Sequence, residues 1–379
     1  MSDWTDVIQA ATTHDPLSGA VNTPIQLSST FNQPDFDHFG RFDYARSGNP
    51  TRESGEQAVA KLEHGKYGYL FSTGMAAISS VLFTLSAGDH IVVSKHVYGG
   101  TFRVLSDVLP RWGITHDFVD FTDLDAIESA IRPETKALYI ETPSNPVLNI
   151  TDIRSVVALA KSHGLITIAD NTFLSPFLQK PLDLGVDIVV HSATKFLSGH
   201  SDILAGVVVT NSRDLAEKIY FMQNAVGATL GVFDTWLLLR GIKTLGVRMT
   251  QSSQSAQKIA NYLSTHDKVE RVLYPGLASH PGHIIHANQS KSGGAVLSFD
   301  VGSEAHAKTV VEALKIPVFS VSLGAVETII SYPPKMSHAE LNADELRDTG
   351  ITPGLLRFSV GLEDADDLIA DLTQALALI

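Results

Sequence analysis

The chain reads as an α/β protein with a mainly parallel sheet in a large domain, followed by a smaller α+β domain. Two observations predict this. Apolar runs recur at His90–Val93, Ala137–Ile140, Leu165–Ala169, Asp187–Val190 and Gly206–Val209, with helical patterns at 122–131 and 151–163 between several of them. Runs that stay apolar at every position suit parallel strands covered by helices on both faces. The length of 379 residues also exceeds one ordinary domain of about 150, which leaves room for an appended unit.

Residues 1–50 form an N-terminal arm, because Pro16, Pro24, Pro34 and Pro50 interrupt any long helix. Within it, Tyr44-Ala45-Arg46-Ser47-Gly48-Asn49-Pro50 holds a Ser-Gly-Asn-Pro turn, and the flanking tyrosine and arginine leave room for an anion. Residues 51–240 make the large domain. Glu53–Leu62 has helical spacing, and Tyr69-Leu70-Phe71 leads into Ser72-Thr73-Gly74-Met75-Ala76-Ala77 and another apolar helix. Small residues opening a helix let a phosphate approach its free N–H groups, although they also serve plain close packing. The pattern at 151–163 ends at Gly164, a C-cap residue.

From Phe233 one long helical stretch is expected to run to about Leu263 and bridge to the second domain, residues 241–379. That domain carries strands at Ala295–Phe299 and Leu355–Val360 and ends in an amphipathic helix from about Asp364 to Ile379. It is expected to be the lid or wall of any site.

The formal charge of −13 argues against nucleic acid or an anionic membrane as the main partner. There are no cysteines, so disulfides, thiolate nucleophiles and cysteine metal sites are excluded. The start, Met1-Ser2-Asp3-Trp4-Thr5-Asp6, has no signal-peptide pattern, and no apolar run approaches the roughly 20 residues that span a bilayer. A cytoplasmic location is the expectation. Neither G-x-G-x-x-G nor G-x-x-x-x-G-K-[ST] occurs, which disfavours dinucleotides and nucleoside triphosphates.

The strands of the large domain finish in chemically loaded residues: Glu141-Thr142-Pro143-Ser144-Asn145-Pro146, Asp170-Asn171-Thr172 and His191-Ser192-Ala193-Thr194-Lys195. Open α/β sheets place their chemistry at such ends. Lys195 is either a surface charge or an amine desolvated enough to form a Schiff base. Asp170, directly after a buried strand, is costly unless it meets a cation; helix capping or an arginine partner are the plainer alternatives. A protonated pyridine nitrogen serves both residues at once, as in pyridoxal 5′-phosphate (PLP) enzymes, where a lysine holds the cofactor and an acid keeps its ring protonated. Ser192 and Thr194 offer donors for a phosphate, and Tyr98, in the turn His96–Gly100, offers either a stacking ring or simple packing. In Leu355–Val360, Arg357 points with Ser359 away from Leu356, Phe358 and Val360, as an exposed edge charge or a rigid carboxylate clamp. His280, His283 and His286 have metal-like spacing, but the segment holds no acid and nothing in it fixes a helix, so no metal is expected.

Taken together, Tyr44–Thr51, Ser72–Ala76, Tyr98–Thr101, Glu141–Pro146, Asp170–Thr172, Ser192–Lys195, Ser322-Leu323-Gly324 and Leu356–Gly361 resemble, in order, the motifs of the PLP-dependent cysteine and methionine metabolism enzymes. That family includes cystathionine γ-synthase, cystathionine β- and γ-lyases and methionine γ-lyase. The resemblance implies a fold type I PLP enzyme, a homotetramer of dimers with shared active sites. It implies that Lys195 carries PLP and removes the substrate α-proton, Asp170 meets the ring nitrogen, and Tyr98 stacks on the ring and serves as an acid–base partner. It further implies that Gly74, Met75, Ser192, Thr194 and Thr172 contact the cofactor, and that Tyr44 and Arg46 reach the phosphate of a neighbouring subunit. Arg357, Asn145 and Ser322 bind the substrate α-carboxylate by the same likeness, and Arg103 its distal carboxylate.

Within the family, Gly100 replaces the cysteine typical of methionine γ-lyases, and Arg103 matches γ-lyases and γ-synthases. Val321 stands where animal and yeast γ-lyases have a glutamate. The expectation is a bacterial-type cystathionine γ-lyase with β-elimination as a side activity, ahead of a β-lyase or γ-synthase. Outside the family, the rivals are a PLP-free α/β protein binding an anionic metabolite and an aminotransferase.

Overall fold

The computed structural model describes residues 2–339 and 342–379. Seven strands, β1 (Tyr67–Phe71), β2 (His90–Ser94), β3 (Thr115–Val119), β4 (Thr135–Glu141), β5 (Ile166–Asp170), β6 (Ile188–Ser192) and β7 (Gly206–Thr210), form a sheet in the order β1-β7-β6-β5-β4-β2-β3. Strands β6, β5, β4, β2 and β3 run parallel, while β7 lies antiparallel to both of its neighbours. The expected mainly parallel sheet is therefore present. The edge strand β3, Thr-His-Asp-Phe-Val, was not expected: it is half-buried past its exposed first residue and opens with three polar residues, so it lacks the apolar run that betrays a buried strand.

The apolar runs have a direct cause. Val92, Leu138, Ile140, Ala169 and Val189 enter one core with the helix Pro50–Leu62. The alternate residues Ile91, Val93, Tyr139, Ile168, Ile188 and Val190 enter a second core with the helix Gly74–Leu82. A strand buried on both faces has no polar side to show. Because side chains alternate with a period of two, Glu141, Asp170 and Ser192 fall on the same face as Tyr139, Ile168 and Val190. Three strand ends thus present polar groups beside the N-terminus of the helix Gly74–Leu82. Thr73 caps that helix, its hydroxyl accepting the Ala76 N–H at 2.9 Å.

A second sheet, β8 (Arg271–Leu273), β9 (Val296–Asp300), β10 (Val318–Phe319), β11 (Ile329–Ser331) and β12 (Leu355–Ser359), has the order β10-β11-β12-β9-β8. Leu297, Phe299, Leu356 and Phe358 pack under it against Leu368 and Leu372 of the helix Ala365–Leu376, which starts at the N-cap Asp364.

Two expectations need correction. The stretch from Phe233 to Leu263 is two helices, Val232–Ile242 and Leu245–Leu263, with Thr244 between them at φ −106°, ψ 3°. Arg248 of the second helix reaches back to the Gly241 carbonyl at 2.8 Å and satisfies the C-terminus of the first, so the break is stabilised by a side chain that periodicity does not reveal. The histidine segment also contains a helix, His283–Gln289, tied down by Gln289, which accepts the Ile153 N–H and donates to the Thr151 carbonyl. Among the described residues, no helix is long and apolar enough to cross a membrane.

Candidate active site

A cavity of about 470 Å³ opens where the C-terminal ends of β4, β5 and β6 meet the second sheet. Lys195 sits just past β6, with its amine 2.7 Å from the Ser322 hydroxyl. Burial, reinforced by the charge of Arg357, pulls that amine down to about 8. A usable fraction is therefore neutral near physiological pH. The segment carrying Ser322 is held close: a Cβ on Gly324 would lie 2.7 Å from the Phe196 nitrogen, and Gly324 has φ +79°, so only glycine fits this approach. Ser322 itself adopts φ 80°, a strained geometry for a residue with a side chain.

Asp170 is buried at the end of β5. Its Oδ1 accepts both the Thr172 N–H at 3.0 Å and the Thr172 hydroxyl at 2.5 Å. Among the described residues no hydrogen bond reaches Oδ2. Burial raises the Asp170 carboxyl above its usual range despite these bonds. The Thr172 hydroxyl in turn accepts the Ser192 N–H at 2.9 Å, which links β5 to β6. Gly74 is packed so tightly on Ser192 that a Cβ there would lie 2.9 Å from its hydroxyl oxygen. Thr194 also lines the cavity, its hydroxyl accepting the Ala205 N–H at 3.0 Å.

On the opposite wall Arg357 extends from β12. It donates to Asn145 Oδ1 at 2.8 Å, to the Ser322 carbonyl at 2.6 Å and to the Ser331 hydroxyl at 3.0 Å. No acid pairs with it in these bonds, and among the described residues its buried Nε has no partner. Arg357 lines the cavity, and an arginine there with a buried donor in reserve is suited to a carboxylate. It is not the exposed edge charge that the sequence also allowed.

The cavity collects Gly74, Met75, Tyr98, Arg103, Asn145, Asp170, Thr172, Ser192, Thr194, Lys195, Ser322 and Arg357. Tyr44 and Arg46 stand apart from it. Tyr44 is exposed, and Arg46 lies over its ring and donates to the Asn224 carbonyl at 3.2 Å. Sequence reasoning did not assign Ser331, Ser337, Met336 and Phe173, which also line the wall, or give a site role to Glu141, whose position at the end of a buried strand was the available signal. The histidines bond backbone instead: His283 to the Pro275 carbonyl, His286 to that of Ser292, and His280 to the Gly282 N–H.

These residues fit PLP on the structure's own terms. A desolvated amine, a buried carboxylate with an uncommitted oxygen, and a capped helix N-terminus beside a serine hydroxyl match an aldehyde, a pyridinium and a phosphate in turn. The fold and the site together define a PLP-dependent enzyme of fold type I. The chain belongs to the Cys/Met metabolism PLP-dependent enzyme family, whose model matches residues 4–377. It is 54% identical to a cystathionine β-lyase MetC of Bacillus subtilis (strain 168), over 99% of this chain and 97% of that protein. A cystathionine γ-lyase of the same organism is 48% identical, over 99% of both chains. The crystal structure of cystathionine γ-lyase from Lactobacillus plantarum complexed with L-serine superposes with a TM-score of 0.97 at 45% identity, covering 100% of this chain and 99% of that one.

Proposed function

We propose that this enzyme is a carbon–sulfur lyase acting on L-cystathionine. The observation that carries the reading is the pairing, across one cavity, of a desolvated amine at Lys195 with the open, buried guanidinium of Arg357. An α-amino acid needs both: a base for its Cα proton and an anchor for its carboxylate.

Lys195 would hold the cofactor, Asp170 would pair with its ring nitrogen, and Gly74, Met75, Ser192 and Thr194 would take its phosphate, with Thr172 orienting Asp170 and Tyr98 providing a stacking ring. Bound PLP supplies an electron sink for the carbanion left when the α-proton departs. Arg357, oriented by Asn145, grips the α-carboxylate through Nε and sets the Cα–H bond toward Lys195. Ser322 holds the Lys195 amine in place. Lys195, its amine freed once the substrate's own amine takes its place, would remove the α-proton; for β-elimination a Cα=Cβ bond forms as the C–S electron pair leaves with sulfur, and Tyr98 or the protonated Lys195 returns a proton to it. Tyr44 and Arg46 complete the phosphate site of a neighbouring subunit in a homotetramer, a role supported by their exposure on an arm that carries Phe36 and Phe39 in the open.

For the bond that breaks, β-elimination takes precedence over the γ-elimination favoured by sequence alone. The support is the 54% identity to a β-lyase, together with Val321, an exposed apolar residue on the cavity wall that offers no charge to a distal group. The γ reading keeps its support from Arg103 on the same wall and from the γ-lyase relatives. Incubation with cystathionine alone, followed by identification of the keto acid, tests both. Pyruvate with homocysteine and ammonia is the expected outcome; 2-oxobutyrate with cysteine and ammonia reverses the order, and neither product removes cystathionine as substrate.

A further inference from the structure

Glu141 ends β4 and pairs in register with Asp170 of β5, so two carboxyls stand side by side on one face of the sheet. Both are buried and both line the cavity. Two neighbouring buried carboxyls do not both ionise unless each has a cation. Asp170 has one in prospect, the ring nitrogen, and this inference rests on that assignment. Glu141 has none. The charge acting on it is Asp170, and Tyr139, two residues back on the same strand, is a neutral neighbour. Of the cations lining the cavity, Lys195 is held by Ser322 and Arg357 by Asn145, Ser322 and Ser331, and Arg103 is not without a partner either. Burial first, then Asp170, pushes the Glu141 carboxyl well above the usual carboxylate range.

The contacts of Glu141 are structural in a specific way. Its Oε2 accepts the Tyr98 backbone N–H at 2.8 Å, and the Asn145 N–H also acts on it. Tyr98 begins the short helix Gly99–Arg103, and no side chain caps that helix. Asn145 is the residue that orients Arg357. One carboxyl therefore bridges the turn that carries the ring-covering tyrosine and the loop that aims the carboxylate anchor.

We propose that Glu141 is a positioning residue working as a neutral acid: it fastens the Tyr98 turn to the Asn145 loop and leaves Asp170 as the single ionised carboxyl at the ring nitrogen. An ionised Glu141 would compete for the same pyridinium and blur which acid sets its protonation.

The test compares E141Q, E141A and D170N. The readouts are the PLP dissociation constant on reconstituting apo-protein, the pH midpoint of the holoenzyme's visible absorbance, and the infrared C=O band of a protonated carboxyl. An amide is neutral and keeps an oxygen for the Tyr98 N–H. E141Q is therefore expected to fold, to hold PLP within about threefold of the parent, to keep the absorbance midpoint, and to lose the acid band. E141A, which removes the bridge, is expected to weaken PLP binding by about tenfold or more. An E141Q midpoint displaced by about a full pH unit, a parent protein with no acid band to lose, or an E141Q that does not fold overturns the neutral acid. PLP binding by E141A equal to the parent overturns the bridge. D170N separates the layers: if it binds PLP as tightly as the parent, the Asp170 assignment falls and this inference with it. Weakened binding by D170N alongside a displaced E141Q midpoint confines the failure to Glu141.

Discussion

Among the described residues two buried arginines, Arg248 and Arg357, have no acid within ion-pair distance, whereas buried Arg52 has Glu56 at 3.4 Å, and the two are built differently. Arg248 lies behind the Lys195 loop and Arg357 in front of it. Burial pulls each guanidinium down to about 10. Arg248 donates to the carbonyls of Phe196 at 2.6 Å, Gly241 at 2.8 Å and Leu197 at 3.4 Å, and its Nε to the Thr244 hydroxyl at 3.0 Å. Every nitrogen is used on backbone or a neighbouring hydroxyl. Arg357 is held just as firmly at Nη1 and Nη2, yet among the described residues its Nε is left without a partner, in a side chain that lines the cavity. A saturated buried arginine is part of the frame; one with a donor in reserve is waiting for an anion.

Replacing the two arginines gives the widest separation. Arg357→Ala removes the carboxylate anchor and is expected to cut kcat/KM for cystathionine by about 2–5 kcal/mol, roughly 30-fold to a few thousandfold, with a smaller change in thermal midpoint than Arg248→Met, because the acceptors it frees on Asn145, Ser322 and Ser331 line the cavity and can take water. Steady-state kinetics beside a melting curve checks it, and an equal loss of stability would erase the distinction. Arg248→Met should do the reverse. It strands the carbonyls of Phe196, Leu197 and Gly241, at a cost of about 2–4 kcal/mol in unfolding free energy, read from a urea midpoint.

A smaller effect sharpens the front side. Because the Lys195 amine is depressed to about 8, it is mostly protonated below that pH and mostly neutral above it. PLP uptake by apo-protein should therefore accelerate as pH rises through about 8 and then level off, where an ordinary lysine would keep accelerating toward about 10.4. The smallest effect concerns the cavity rim: Arg103→Ala should raise KM for cystathionine more than for a short thiol substrate, and equal losses on both would remove Arg103 from distal recognition.

The comparison also shows what a sequence carries. Lys195, Asp170 and Tyr98 were legible because each follows an apolar strand, and a polar group at such a boundary stands out against its run. Arg357 was legible as to side, through the alternation of its strand, but its burial was not, because the cover comes from Asn145 and Ser322 at distant positions. Arg248 left no local trace. It occupies an ordinary polar place in a helical pattern, and its function depends on Phe196, 52 residues earlier. The helix break at Thr244 was missed for the same reason, since the group that stabilises it comes from the next helix. Periodicity reports which face is buried and says nothing about which distant atom a buried polar group meets.

The measurement closest to the central claim is the position of the cofactor. Borohydride reduction of the holoenzyme, digestion and mass spectrometry locate the lysine that carries it. The account predicts the label on Lys195, and no label on the Lys195→Ala protein under the same treatment. Label on another lysine, or an unlabelled protein that still eliminates sulfur, would contradict it.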